Sequence, residues 1–118
     1  MVRIEQLAAA ALSGDSLQTR SLAQEFFREA PHLPDIPKPT LDDKQLLAAT
    51  ASLLELFAER THQLAPAWTA EVGPLAEPVF LLKAATTMKR LRRLCETESP
   101  EPLKKRGFYA PPNYLEFA

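Results

Sequence analysis

Residues 80–96 read Phe80-Leu-Leu-Lys83-Ala-Ala-Thr-Thr-Met88-Lys-Arg-Leu91-Arg-Arg-Leu94-Cys-Glu96. Leu81, Ala84, Ala85, Met88, Leu91, Leu94 and Cys95 recur at steps of three and four, which draws one apolar stripe along an α-helix. Lys83, Lys89, Arg90, Arg92 and Arg93 fall largely off that stripe. The spacing predicts a basic amphipathic helix over 80–98, with one side in a core and the other strongly cationic.

Upstream, residues 66–79 have no periodicity and hold Trp68, Gly73 and Pro74. They read as a loop in which the tryptophan plugs a core edge or meets a partner. Before it, Leu46, Leu47, Thr50, Leu53, Leu54, Phe57, Ala58, Thr61 and Leu64 keep a 3.6-residue period. This predicts a central helix within 40–65, spanning 41–64, opened by Thr40 with Asp43 three residues on and closed by Pro66. Four prolines between residues 31 and 39 mark a linker in extended or polyproline II geometry.

Residues 1–30 read as a helical hairpin. Ile4, Leu7, Ala8, Ala11 and Leu12 line its first helix, which Ser13-Gly14 stops. Leu17, Leu22, Ala23, Phe26 and Phe27 line the second, capped by Asp15 or Ser16 and ended by Pro31. A DNA-reading helix-turn-helix is a poor match, because the second helix is short of basic residues and carries Glu25 and Glu29.

Downstream, residues 99–118 form a tail. Ser99-Pro100-Glu101-Pro102 is a break followed by a single helical turn, with proline in its permitted N-terminal place. Phe108, Tyr109, Tyr114 and Phe117 are four of the nine aromatics. Disordered segments are poor in such residues, so this tail should dock, on its own core or on another chain. The whole reads as an all-α bundle of about four main helices with an ordered, non-helical C-terminal tail rich in proline and aromatics.

Composition narrows the function classes. A chain of 118 residues is one domain by size. Its 3 glycines against 11 prolines argue against a hairpin-rich β fold, which needs Gly or Asn at tight turns. The net charge of −1 is unevenly spread: residues 83–106 hold eight Lys or Arg and three Glu, whereas residues 1–82 hold six basic and eleven acidic side chains. Such asymmetry points to complementarity within the chain, the basic stretch pairing with the acidic first half, or with a protein partner, more than to nucleic acid, for which whole domains are basic. One cysteine, Cys95, excludes an internal disulfide and fits a reducing compartment. Met1 to Leu12 does not read as a signal peptide, because Glu5 interrupts it and it has little basic lead, and no apolar run approaches the ~20 residues a membrane span needs, so a cytoplasmic protein is expected.

No catalytic, metal or cofactor constellation emerges. Glu55, Glu59 and His62 share a helix face, but a carboxylate-bridged metal site needs a second Glu-x-x-His pair, and a solvated face is the simpler reading. His32 stands alone among prolines, zinc-ligand spacing is absent, and there is neither a phosphate loop nor a nucleophile elbow. The residues singled out are therefore contact residues. Lys83, Lys89, Arg90, Arg92, Arg93, Lys104, Lys105 and Arg106 form a basic surface for a partner. Trp68, Tyr109, Tyr114 and Phe117 serve a partner or dock the tail. Phosphate contacts by the same basic surface make nucleic acid the alternative, although stacking aromatics are missing within 83–106.

The second half also carries a resemblance. Pro66-Ala-Trp68-Thr-Ala-Glu-Val-Gly-Pro74, Glu77-Pro78-Val-Phe-Leu81, Met88 with Leu91-Arg92, Ser99-Pro100-Glu101-Pro102-Leu-Lys-Lys-Arg-Gly107 and Tyr109-Ala-Pro-Pro-Asn113-Tyr-Leu follow in an order that resembles a family of short uncharacterised bacterial proteins. Their genes typically lie beside one for a nucleotidyltransferase-like protein, in a two-gene arrangement like that of toxin–antitoxin modules. The likeness spans about 66–118. It implies a non-enzymatic, antitoxin-like or regulatory subunit with a protein partner, for which a nucleotidyltransferase-like protein is a candidate. A homodimer is compatible with it. It brings no catalytic residues.

Overall fold

The computed structural model describes residues 2–29 and 31–115. The chain is all-α. Its helices are α1 (Ile4–Ser13), α2 (Ser16–Arg28), α3 (Lys44–Thr61), α4 (Lys89–Glu98) and the one-turn α5 (Glu101–Lys104). Short 3₁₀ turns occupy Leu33–Asp35, Ala67–Glu71 and Lys83–Thr86. Two two-residue strands, β1 (Val79–Phe80) and β2 (Phe108–Tyr109), pair in parallel with Val79 opposite Phe108.

The hairpin forms because its signals are local. Gly14 adopts φ 79° as the left-handed cap of α1, a conformation that costs glycine nothing. Asp15 then caps α2 by accepting from the Gln18 N–H at 3.0 Å. Two details differ from expectation: α2 ends at Arg28, two residues earlier than Ala30, and Leu17 lies 81% exposed instead of on the buried stripe. Leu17 belongs to the first turn of α2, where the helix has not yet reached the core.

α3 is the central element, with every residue from Ala48 to Leu54 buried. It is shorter than the predicted 41–64 at both ends. Asp43, not Thr40, is the cap, because its carboxylate accepts from both Gln45 and Leu46 N–H groups at 2.9 and 3.1 Å. His62 ends the helix in the left-handed region at φ 58°, so Leu64 falls outside it and is 79% exposed. Glu55, Glu59 and His62 therefore do not form one helical face.

One buried cluster joins Leu7, Ala8 and Phe26 of the hairpin to Leu53, Leu54 and Phe57 of α3 and to Leu81, Leu103 and Phe108 beyond. Phe27 packs edge-on against Phe57, with centroids 4.7 Å apart. The linker turns within Leu33–Asp35 instead of staying extended throughout, and Leu33 is fully buried.

The stretch 80–98 is not one helix. The N–H groups of Val79 and Leu81 donate to the carbonyls of Gly107 and Tyr109 at 2.8 and 3.0 Å, which holds the first residues extended. Thr86 and Thr87 then turn their hydroxyls back onto the carbonyls of Lys83 and Ala84, and an α-helix begins only at Lys89. Ala84 and Met88 are consequently exposed, and Cys95 is the one α4 residue that is fully buried.

Candidate functional site

Eight cations were expected on one basic surface. The structure separates them into three environments.

Arg106 is inside. It is 2% exposed, with its guanidinium donating from Nε to the Val72 carbonyl at 3.1 Å and from one Nη to the Thr69 carbonyl at 2.6 Å. Its other Nη is paired with the Glu55 carboxylate. Lys105 Nζ reaches the same carboxylate oxygen at 2.9 Å. Glu55 was expected on a solvated face and Arg106 on a basic surface; both expectations fail, because each is the other's counter-charge. Burial pushes the Glu55 carboxyl upward, but the hydrogen bonds and positive charges of Arg106 and Lys105 outweigh it and hold the group below its usual range. This pair ties the 66–78 loop to α3, and the Leu75 N–H completes the tie on the Arg106 carbonyl at 3.0 Å.

Arg92 and Lys104 are satisfied at the surface. Arg92 pairs with Glu96 one turn on at 2.9 Å and lies over the Phe80 ring, 5.2 Å from its centroid. Lys104 approaches the Thr97 carbonyl at 3.5 Å.

Lys83, Lys89, Arg90 and Arg93 remain. All four are exposed, and none forms an ion pair among the described residues. Lys89, Arg90 and Arg93 stand three and four residues apart on α4, on the side away from buried Cys95. Lys83 lays its aliphatic stem across the hairpin turn, so close that a Cβ on Gly14 would stand 2.6 Å from its Cγ.

α4 carries these charges the wrong way round for its own stability. Its N-terminal half holds Lys89, Arg90, Arg92 and Arg93, and its last turn holds Glu96 and Glu98. A helix favours acids at its N-terminus and bases at its C-terminus, by roughly 0.3–1 kcal/mol each at an exposed site. The helix has no acidic residue in its first turn and no side-chain cap. Neither ion pairing nor the dipole accounts for the outward cations.

The aromatics expected to contact a partner or dock the tail are mostly turned inward. Trp68 is half-buried, and its indole N–H donates to the Ile36 carbonyl at 2.9 Å, which pins the linker. Tyr109 sits in β2 with its ring 5.4 Å from that of Phe80. Tyr114 is buried, its phenol pushed above its ordinary pKa by that burial, and its carbonyl accepts from Arg60. Phe117 lies outside the described residues. Buried Ser99 fastens the tail by accepting from the Ala110 N–H at 2.9 Å, with its own proton facing the carbonyls of Cys95 and Ala110.

Among the described residues no group of His, Cys, Asp and Glu could hold a metal ion. Cys95 is buried in the α4 stripe, its thiol pushed up by burial and by the neighbouring Glu96 charge. No described helix is long and apolar enough to cross a membrane. No family model, curated protein or solved structure matches the chain.

Proposed function

We propose that this chain is a non-catalytic protein-binding module, an antitoxin-like or regulatory subunit, that docks on an acidic surface of a bacterial protein through the outward face of α4. The observation that carries the reading is the set of exposed cations Lys89, Arg90 and Arg93, which have no ion-pair partner among the described residues and lie on a helix whose dipole they oppose, with exposed Lys83 in the turn before it. A fold selected for stability alone would reverse or pair them. The nucleotidyltransferase-like type of protein suggested by the resemblance is the first partner to try, and the single cysteine suits a cytoplasmic setting.

Nucleic acid is the alternative occupant of the same cations. It is the weaker reading because Phe80, the ring that Arg92 covers, is half-buried with Tyr109 beside it and is not open to base stacking. Co-purification from the source cell, followed by titration with salt, separates the two. The expected result is a defined protein partner whose binding weakens as salt rises and is lost in a Lys89→Glu, Arg90→Glu, Arg93→Glu variant. Micromolar binding to duplex or single strands at about 0.15 M salt, abolished by that same variant, would replace the protein reading with the nucleic-acid one.

A further inference from the structure

A cavity of about 760 Å³ lies between the hairpin and the linker and shares no residue with α4. Val2, Ile4 and Phe26 line it from the hairpin, and Pro37, Pro39 and Leu41 line it from the linker. A mainly apolar lining and a volume within roughly 300–1,000 Å³ are the marks of a ligand site. The linker wall is fastened at both ends. At one, the Leu33 N–H donates to the Gln63 side-chain carbonyl at 3.1 Å, and the Ile36 carbonyl accepts from Trp68. At the other, Asp43 caps α3. Between them, no hydrogen bond or ion pair involves residues 37–42 among the described residues. Pro37 and Pro39 hold this piece extended, because each ring fixes its own φ and pushes the preceding residue into the extended region. Neither proline has an N–H, and in an extended chain the main-chain groups of alternate residues point to opposite edges. One edge therefore loses its donors at Pro37 and Pro39. The other keeps the N–H and C=O of Lys38 and Thr40, both exposed residues.

An unpaired strand edge beside an apolar cavity is an arrangement that accepts an added strand. We infer that this cavity and residues 37–41 form a second binding site, whose ligand is an extended, apolar and basic peptide segment of a protein partner. The segment's main chain pairs with the N–H and C=O groups of Lys38 and Thr40. Every second side chain then points the same way, toward the cavity, and is apolar. Charge complementarity sets the sign of the segment. Glu5 and Glu29 line the cavity against one cation, Arg3, so the segment brings a Lys or an Arg. An apolar small molecule would fill the cavity and leave the edge unused.

The test titrates the intact chain with a capped six-residue peptide that alternates valine and threonine, with one threonine replaced by lysine. Saturable binding is expected, and its absence at millimolar peptide would overturn the site. Two forms of the peptide are N-methylated at alternate nitrogens, one along each edge. One of them should bind about tenfold more weakly, since its pairing hydrogen bonds are lost, and the other as before. Full affinity for both would assign the cavity to apolar side chains alone and overturn the strand pairing. Lys38→Pro with Thr40→Pro removes both donors from the open edge and should weaken the peptide about as much, whereas Lys38→Ala with Thr40→Ala should not. Both positions are exposed and without hydrogen bonds among the described residues, so the melting temperature, measured alongside, should hold. A folded proline variant with undiminished affinity would overturn the proposal. Glutamate in place of the peptide's lysine should weaken binding; equal or tighter binding would contradict the assigned sign. Lys89→Glu, Arg90→Glu, Arg93→Glu should leave this peptide's affinity unchanged, and its loss there would contradict a site separate from α4.

Discussion

Arg106 and Arg93 are the same residue type, thirteen positions apart, in the one part of the chain that is rich in positive charge. Arg106 is sealed in the interior, where Glu55 and two loop carbonyls use its donors. Arg93 stands in solvent on α4 without an ion-pair partner among the described residues. A local excess of Lys and Arg is therefore two things here: a structural tie at 105–106, and at 83, 89, 90 and 93 exposed cations without an ion-pair partner among the described residues. Only the second can be a partner's target, and only the first should matter to stability.

The sharpest test of that division is Arg106→Ala. It would leave Glu55 without its buried counter-charge and two loop carbonyls without a donor, so a loss of about 3–5 kcal/mol is expected in chemical denaturation. A loss under about 1 kcal/mol would mean that the pair is solvated and the division false.

Acid should attack the same tie. The Glu55 pKa in the folded chain lies below its ordinary value of 4.5, so its contribution is complete above that pH and disappears as pH falls through the depressed folded value. Denaturation series between pH 7 and pH 3 should show wild type losing stability at the acid end by more than a Glu55→Gln variant, which lacks the titration. Parallel pH curves for the two proteins would contradict the assignment.

Ser99→Ala removes the hydroxyl that accepts from Ala110 N–H, at an expected cost of about 1–3 kcal/mol for a buried donor left unpaired. Lys105→Ala, by contrast, should cost about 0–1 kcal/mol, because the ammonium is half in water although it touches the same carboxylate as Arg106. A cost for Lys105→Ala equal to that of Arg106→Ala would show that charge and not burial governs the tie.

What the sequence revealed follows the range of the forces involved. The Gly14 stop and the Asp15 cap were readable because each acts within four residues. The broad stripe of α3 was readable because Leu46, Leu53, Leu54 and Phe57 repeat within one element. The break in 80–98 was hidden, since its cause is the pairing of residues 79–81 with 107–109, and the local pattern of Ala, Thr and Met is compatible with helix. Arg106 was hidden for the same reason: its acid is 51 residues upstream, and a Lys-Lys-Arg run looks solvated in isolation. Glu55 did give a signal, as a single carboxylate flanked by Leu53, Leu54, Leu56 and Phe57 in a helix whose apolar face is unusually wide. The free cations of α4 could be recognised as a charged cluster in the sequence. Separating them from Arg92, Lys105 and Arg106 required the fold.

Whether the outward cations of α4 serve a partner and not the fold is tested most directly by one side-by-side measurement. Thermal or chemical unfolding of the Lys89→Glu, Arg90→Glu, Arg93→Glu variant should show stability unchanged or raised, by roughly 0.3–1 kcal/mol, because two of the new carboxylates would lie in the first turn of the helix. The same preparation should fail to retain the co-purified partner that wild type retains. A variant that unfolds as readily as Arg106→Ala, or that keeps its partner at wild-type affinity, would contradict the account.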